Sequence, residues 1–193
     1  LLVLPDTSAQ GAARLAERLL IRTLLNAIWS RVGSIELCVS PDPDAPEWEH
    51  TRRILPLSDH PLIWTTQGDG DLGARMARAA ERGTAAGHLV MLMGTDCPTL
   101  DPRRIRQAGQ TLQKNDAVMI PAVDGGYVLL GLRHTSARLF EDVPWSTDAV
   151  ADTTLRRLRE LGWKHRVLPS LRDLDVSSDL EALPAWIRRA LCV

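Results

Sequence analysis

The sequence predicts a three-layer α/β/α sandwich on a mostly parallel mixed sheet, and three observations predict it. Short apolar runs alternate along the chain with longer amphipathic stretches, the pattern of strands crossing over through helices. One pair of apolar runs flanks an Asp-Gly-Gly turn, which predicts a single antiparallel excursion. No internal repeat, low-complexity segment or long linker divides the chain, so residues 1–193 are expected to form a single domain.

The elements follow in order. LLVL (1–4) is a short apolar run. Residues 9–31 carry Leu15, Leu19, Ile21, Leu24, Leu25 and Ile28 at helical spacing with arginines between them. IELCVS (35–40) is strand-like, PDPDAP breaks it, and 47–55 suits a short helix. LIWTT (62–66) is a strand, followed by the glycine-rich QGDGDLGARM (67–76), which runs into a helix. HLVMLMG (88–94) is apolar throughout and is expected at the centre of the sheet. Residues 101–114 form a helix with Asp101 as N-cap and Pro102 at its first position. Residues 116–133 are two strands around Asp124-Gly125-Gly126. Residues 147–162 form a helix with Thr147 as cap and Gly162 as stop. KHRVLP (164–169) is a last strand, and 177–191 one closing helix.

Composition excludes several classes. Apolar residues make up 45% and charged residues 24%, ordinary values for a globular chain. Net charge is -1, which points to no polyanionic partner, and six dispersed tryptophans form no stacking stripe; a nucleic-acid surface is not expected. Three distant cysteines argue against a disulfide framework and for a reducing compartment. No apolar run is long enough to cross a bilayer. The chain opens on Leu1 with no basic leader, so a cytoplasmic protein is expected. Histidines lack metal-ligand spacing, and no G-x-S-x-G elbow is present. The pattern leaves self-association as a homodimer open.

Chemistry is expected at the carboxyl ends of the strands, where open α/β sheets bind ligands. Asp96, in MGTDCPTLDP, stands just past strand 88–94. A carboxylate there suits Mg²⁺ or Mn²⁺, which take oxygen ligands and share them with substrate phosphates. An Asx turn or a helix cap would use the same residue. Asp124 follows an apolar strand, with Gly125 and Gly126 permitting a turn or close ligand approach; a plain hairpin explains them too. Asp173 and Asp175 alternate, so both project to one side of an extended segment and could share a cation with Asp96. A solvated strand end would carry the same pair. Trp145, Ser146 and Thr147 open a helix, a ready anion site or simply a cap. Gly70, Asp71 and Arg75 lie in a loop that matches neither a Walker loop nor a dinucleotide fingerprint, and that could hold a sugar or a nucleotide or merely join two elements. Cys97 has no paired histidine and suits a small buried residue.

Taken together, GDGDLGARM, MGTDCPTLDP, DAVMIPAVDGGYVLLGLR, LFEDVPWSTDAVADTTLRRLRELGW and LRDLDVSSDL resemble the successive signatures of the bacterial DUF2064 family. That family is provisionally assigned as glycosyltransferases and is related to the nucleotide-diphospho-sugar transferase superfamily with the GT-A fold. The resemblance runs from about Gly68 to Leu180, and more loosely through 9–31. It implies a GT-A-like domain that binds a nucleotide sugar or nucleoside triphosphate with a divalent metal and serves an unknown acceptor. By position it implies Asp96 and Asp175 as metal ligands, Asp124 to Tyr127 on the acceptor side, and Trp145 to Thr147 closing over the site. Family members follow the first strand with a basic Lys-x-x-x-Pro-Gly-x-x-Lys-Thr-Arg-Leu loop, whereas here LLVLPDTSAQGAARL has no base between Pro5 and Ala9. The expectation is a metal-dependent glycosyl or nucleotidyl transferase. The alternative is a non-catalytic relative without the phosphate loop, acting as a binding or scaffold protein, with a phosphate-ester hydrolase a distant third.

Overall fold

The computed structural model describes residues 9–54, 62–174 and 177–191. The apolar run 1–4, the expected position of the basic loop, and Asp175 lie outside the described residues. In order come α1 (Ala9–Ser30), β1 (Ile35–Val39), a 3₁₀ turn (Pro46–Trp48), α2 (Glu49–Ile54), β2 (Leu62–Thr66), α3 (Leu72–Ala85), β3 (Val90–Met93) and α4 (Pro102–Leu112). Then follow β4 (Ala117–Pro121), β5 (Tyr127–Leu132), a 3₁₀ turn (Ala137–Leu139), α5 (Val150–Glu160), β6 (His165–Val167), α6 (Ser177–Ala182) and α7 (Ala185–Leu191).

β1 and β2 pair in parallel from Ile35↔Leu62 to Val39↔Thr66. The other strands form a sheet in the order β3-β5-β4-β6. β5 runs antiparallel to both neighbours, and β4 is parallel to β6, so β3, β4 and β6 point the same way. The antiparallel excursion is thus the strand that follows Asp-Gly-Gly. A register shift at Ile120/Pro121 ends the regular ladder, and an Ala122↔Leu171 bridge carries the parallel pairing past it.

The period of two along β4 makes the layers. Val118 and Ile120 face α4 and pack with Ile105, Ala108 and Leu112. Ala117 and Met119 face the other way, onto Ala80 of α3 and Ala151 and Leu158 of α5. Each fully buried Leu or Ile contributes about 1.5–3 kcal/mol relative to exposure. Helix α1 uses its apolar stripe twice: Leu24 packs on Leu37 and Val39 of β1, and Leu19 on Leu183, Ile187 and Leu191.

Four expectations are corrected. Among the described residues β3 lies at the end of its sheet and its four residues are only partly buried; the deepest strands are β4 and β5. The expected helix at 47–55 is, over the described residues, a 3₁₀ turn (Pro46–Trp48) followed by α2 (Glu49–Ile54). The closing helix is two helices, because Pro184 has no N–H to continue the first; its carbonyl instead opens α7, accepting from Ile187 N at 2.9 Å. Thr147 is not the cap of α5, whose N-cap is Ala149. Asp101 does cap α4, accepting from Arg104 N at 2.8 Å, with Pro102 in the first turn.

Candidate functional site at the carboxyl ends of the strands

The loop after β3 answers first to its neighbours. α1 crosses over it and donates three hydrogen bonds to its carbonyls: Arg22 Nε to Pro98 O at 2.9 Å, Thr23 Oγ1 to Thr95 O at 3.4 Å and Asn26 Nδ2 to Leu100 O at 3.0 Å. The carbonyl of Cys97 accepts from Leu100 N, and that of Asp96 from Leu174 N at 3.0 Å. Thr23 and Asn26 are buried, so these groups would be costly to leave unpaired. The Asp96 carboxylate lies against Gly94, where a Cβ would stand 2.7 Å from Oδ1. Cys97 is buried, its Sγ 3.4 Å from the carbonyl of Arg172. Burial, with the Asp96 charge adding to it, pushes its thiol pKa up, which suits a packed thiol rather than a thiolate nucleophile.

The turn after β4 is built as an Asx turn: Asp124 Oδ1 accepts from Gly126 N at 2.9 Å. Gly125 has φ +99, and a Cβ there would fall 2.2 Å from the carbonyl oxygen of Asp148. Its own carbonyl accepts from Ala151 N at 2.8 Å, in the first turn of α5. The turn is therefore seated directly on the start of that helix. Thr147 shapes the approach, donating to Pro144 O at 2.7 Å and accepting from Ala149 N at 3.3 Å. These bonds hold Ser146 at φ +63, a conformation that costs an L-residue about 1–2 kcal/mol. Trp145 turns inward onto α3: a Cβ at Gly73 would meet its Nε1 at 2.8 Å. That indole nitrogen is buried with no acceptor.

Behind the turn, the Tyr127 hydroxyl reaches Met76 Sδ at 3.9 Å. Burial raises its pKa far above the ordinary phenol value, only partly offset by a hydrogen bond with Thr154.

The glycine-rich loop after β2 is closed on itself. Asp71 caps α3, accepting from Ala74 N at 2.8 Å. Arg75 donates to Gly70 O and Gln67 Oε1, both at 3.0 Å, and Arg78 to the carbonyls of Gln67 and Asp69. Both arginines thus serve the loop's own acceptors.

The segment after β6 completes the edge. Leu168 N donates to Met119 O, Leu171 N to Pro121 O and Val123 N to Leu171 O, so 168–171 runs alongside the end of β4. Leu174 then joins Asp96. The structure therefore places Asp96, Asp124 and Asp173 on loops joined through backbone hydrogen bonds at the carboxyl ends of β3, β4 and β6. Gly125 and Gly126 share the Asp124 turn, which sits on the segment carrying Trp145, Ser146 and Thr147; Gly70, Asp71 and Arg75 connect to it through Trp145 on Gly73. No three acidic, histidine or cysteine side chains converge as a metal group among the described residues. The backbone bond from Leu174 N to Asp96 O puts Asp96 and Asp173, both carboxylates and so possible oxygen ligands, on adjoining loops.

Two cavities lie elsewhere. One of about 250 Å³ is lined by Val32, Met91 and Arg106, the other, of about 620 Å³, by Lys114, Lys164 and Arg166. Both sit at the amino ends of the strands, so the loop geometry, not cavity size, locates the candidate site. Sequence reasoning missed Arg22, Thr23 and Asn26. Their signal was three polar residues interrupting the apolar stripe of α1.

Comparison with known proteins agrees with this architecture. No curated protein matches the chain. A solved structure from Desulfovibrio desulfuricans G20, described provisionally as a nucleotide-diphospho-sugar transferase, superposes with a TM-score of 0.75 at 27% identity, covering 91% of this chain and 77% of that one. Among the described residues no helix is long and apolar enough to cross a membrane. The family model described as uncharacterized protein conserved in bacteria matches residues 23–147, and the chain belongs to that family, DUF2064, with a nucleotide-diphospho-sugar transferase fold.

Proposed function

We infer that the protein is a metal-dependent transferase using a nucleotide-activated donor, with a glycosyl or nucleotidyl group passed to an acceptor at the carboxyl ends of the strands. The observation that carries this reading is the hydrogen bond from Leu174 N to Asp96 O, which ties the segment bearing Asp173, and leading to Asp175, to the loop bearing Asp96. Asp96, Asp173 and Asp175 would hold Mg²⁺ or Mn²⁺. The ion would supply Lewis-acid neutralisation of the donor's pyrophosphate. The chain's own part is positioning. The Gly126 backbone would face the donor while Gly125 seats the turn on the Asp148 main chain, Ser146 would offer a hydroxyl on the segment that Thr147 braces, and Asp124 would orient the acceptor hydroxyl.

The test is thermal unfolding with Mg²⁺ or Mn²⁺ and each common nucleoside triphosphate and nucleotide sugar. At least one pair should raise the midpoint, and Asp96→Asn should abolish the rise. A wild-type melt that no pair moves would refute the reading.

One observation favours the second reading, a binding or scaffold protein. Arg75 and Arg78 are engaged by carbonyls of their own loop, so this loop offers a phosphate no uncommitted arginine. Turnover of any nucleotide sugar would eliminate it.

A further inference from the structure

The C-terminal helices lie outside the layers of the sandwich, yet they reach the Asp96 loop by two routes. Arg18 and Arg22 stand four residues apart, on one face of α1. Arg18 Nη1 donates to Leu191 O at 2.7 Å, at the end of α7, where a cation complements the helix dipole. Arg22 meets the other end of α7, its guanidinium carbon 5.0 Å from the centre of the Trp186 ring. The same guanidinium donates to Pro98 O. The second route is Leu174, whose N–H bonds Asp96 O while its side chain packs in the cluster of Leu19, Leu183 and Ile187.

Trp186 is otherwise hard to explain. It is 56% exposed, whereas Ile187 and Leu191 on the same helix are buried. Its cation–π contact makes sense of it: the ring fixes an arginine that bridges α7 and the loop. Thr23 and Asn26 hold the loop from α1 alone, so Arg22 is the side chain of that clamp through which α7 can act.

We propose that Arg22 is a positioning residue, held by Trp186, through which the docking of α7 sets the geometry of the Asp96 loop and hence its affinity for a divalent cation with a nucleotide. The affinity part rests on the function proposed above; the link between α7 and the loop does not. Linkage is reciprocal, so a ligand bound at Asp96 should in turn tighten α7 on α1.

The experiment is hydrogen–deuterium exchange on the full chain, comparing wild type, Trp186→Ala and Trp186→Phe. An exposed cation–π contact supports a change of about two- to fivefold. Amides of residues 95–100 should exchange faster by that factor in Trp186→Ala, return close to wild type in Trp186→Phe, and leave β4 and β5 unchanged. Unchanged loop exchange, or acceleration shared equally by β4 and β5, would overturn the link. Titration with Mn²⁺ and the nucleotide that stabilises the wild type should show the same two- to fivefold weakening in Trp186→Ala, rescued by Trp186→Phe. Should no nucleotide bind the wild type, the proposed function fails, while the exchange comparison still decides whether α7 positions the loop.

Discussion

Gly125→Ala should damage this protein more than alanine at Gly162, another positive-φ turn position, for two separable reasons. The first is backbone conformation: φ is +99 at this position, and holding an L-residue in such a region costs about 1–3 kcal/mol. The second is contact. The new methyl would sit 2.2 Å from Asp148 O and 2.4 Å from Asp148 Cα, atoms of main chain rather than a yielding side chain. Relieving overpacking of that kind typically costs a further 1–3 kcal/mol or so. The sum is about 2–6 kcal/mol, and at about 2–4 °C per kcal/mol for a chain of this size the midpoint should fall by at least about 4 °C. Gly162→Ala is the control. It shares a positive φ of +69, but nothing lies within 4 Å of its would-be Cβ, so it carries the conformational cost alone. Urea unfolding of both variants gives the difference directly. Equal losses would refute the claim that the Asp124 turn is seated on the start of α5.

Other outcomes follow from single contacts. Asn26→Ala should cost about 1–3 kcal/mol in urea unfolding, because it strands the buried Leu100 carbonyl. Asp101→Ala should cost about 1 kcal/mol by removing the cap of α4, read as a lower denaturation midpoint at unchanged m-value. Glu36 is partly desolvated, which raises its pKa, but hydrogen bonds from Thr65, Arg82 and Cys38 and the Arg82 charge win, and the net shift is downward. Its folded pKa therefore lies below its unfolded one, so its stabilisation is present above the ordinary glutamate range and is lost as pH falls through the folded value. Melts of wild type and Glu36→Gln should converge in acid and separate toward neutrality; parallel curves would contradict this. Tyr127 is the chain's single tyrosine, so phenolate absorbance reports it alone. Burial raises its pKa, so no phenolate should form as pH passes the ordinary phenol value of about 10 until the chain unfolds.

Most elements were legible because their signals are local. Residues 62–66 form β2 as read, and the Asp101-Pro102 pair announced α4 through cap chemistry that needs no tertiary information. The turn at Asp124 announced the antiparallel β5 in the same way. The failures have a common physical form. HLVMLMG reads as central because it is wholly apolar, but apolarity reports average burial and not strand order. Thr147 has a capping side chain, yet its hydroxyl bonds Pro144 O and Ala149 N and so closes the turn that precedes the helix. The clamp of Arg22, Thr23 and Asn26 joins residues more than seventy positions apart, and no window along the chain contains both partners. For the site, sequence alternation indicated which residues share an edge of the sheet. It carried no sign that Arg75 would be consumed by its own loop.

The way these loops are held bears on what they can do. The carbonyls of Thr95, Asp96, Cys97, Pro98 and Leu100 all accept hydrogen bonds, three from α1 and one from the segment after β6. A loop so fully bonded has little freedom left to lose when a ligand arrives, and less ordering cost leaves more of the contact energy as affinity. At Gly94, Gly73 and Gly125 a methyl would collide with Asp96, Trp145 and Asp148 respectively. In the last two cases one loop is pressed against the next, so the turn bearing Asp124, the start of α5 and the start of α3 interlock through places where a side chain has been left out. The loops at this edge are thus braced by main-chain hydrogen bonds and by close packing on one another. Under the function proposed above, such bracing suits transfer assisted by positioning and electrostatics. Burial pushes the Cys97 thiol pKa up, which suits packing rather than nucleophilic attack.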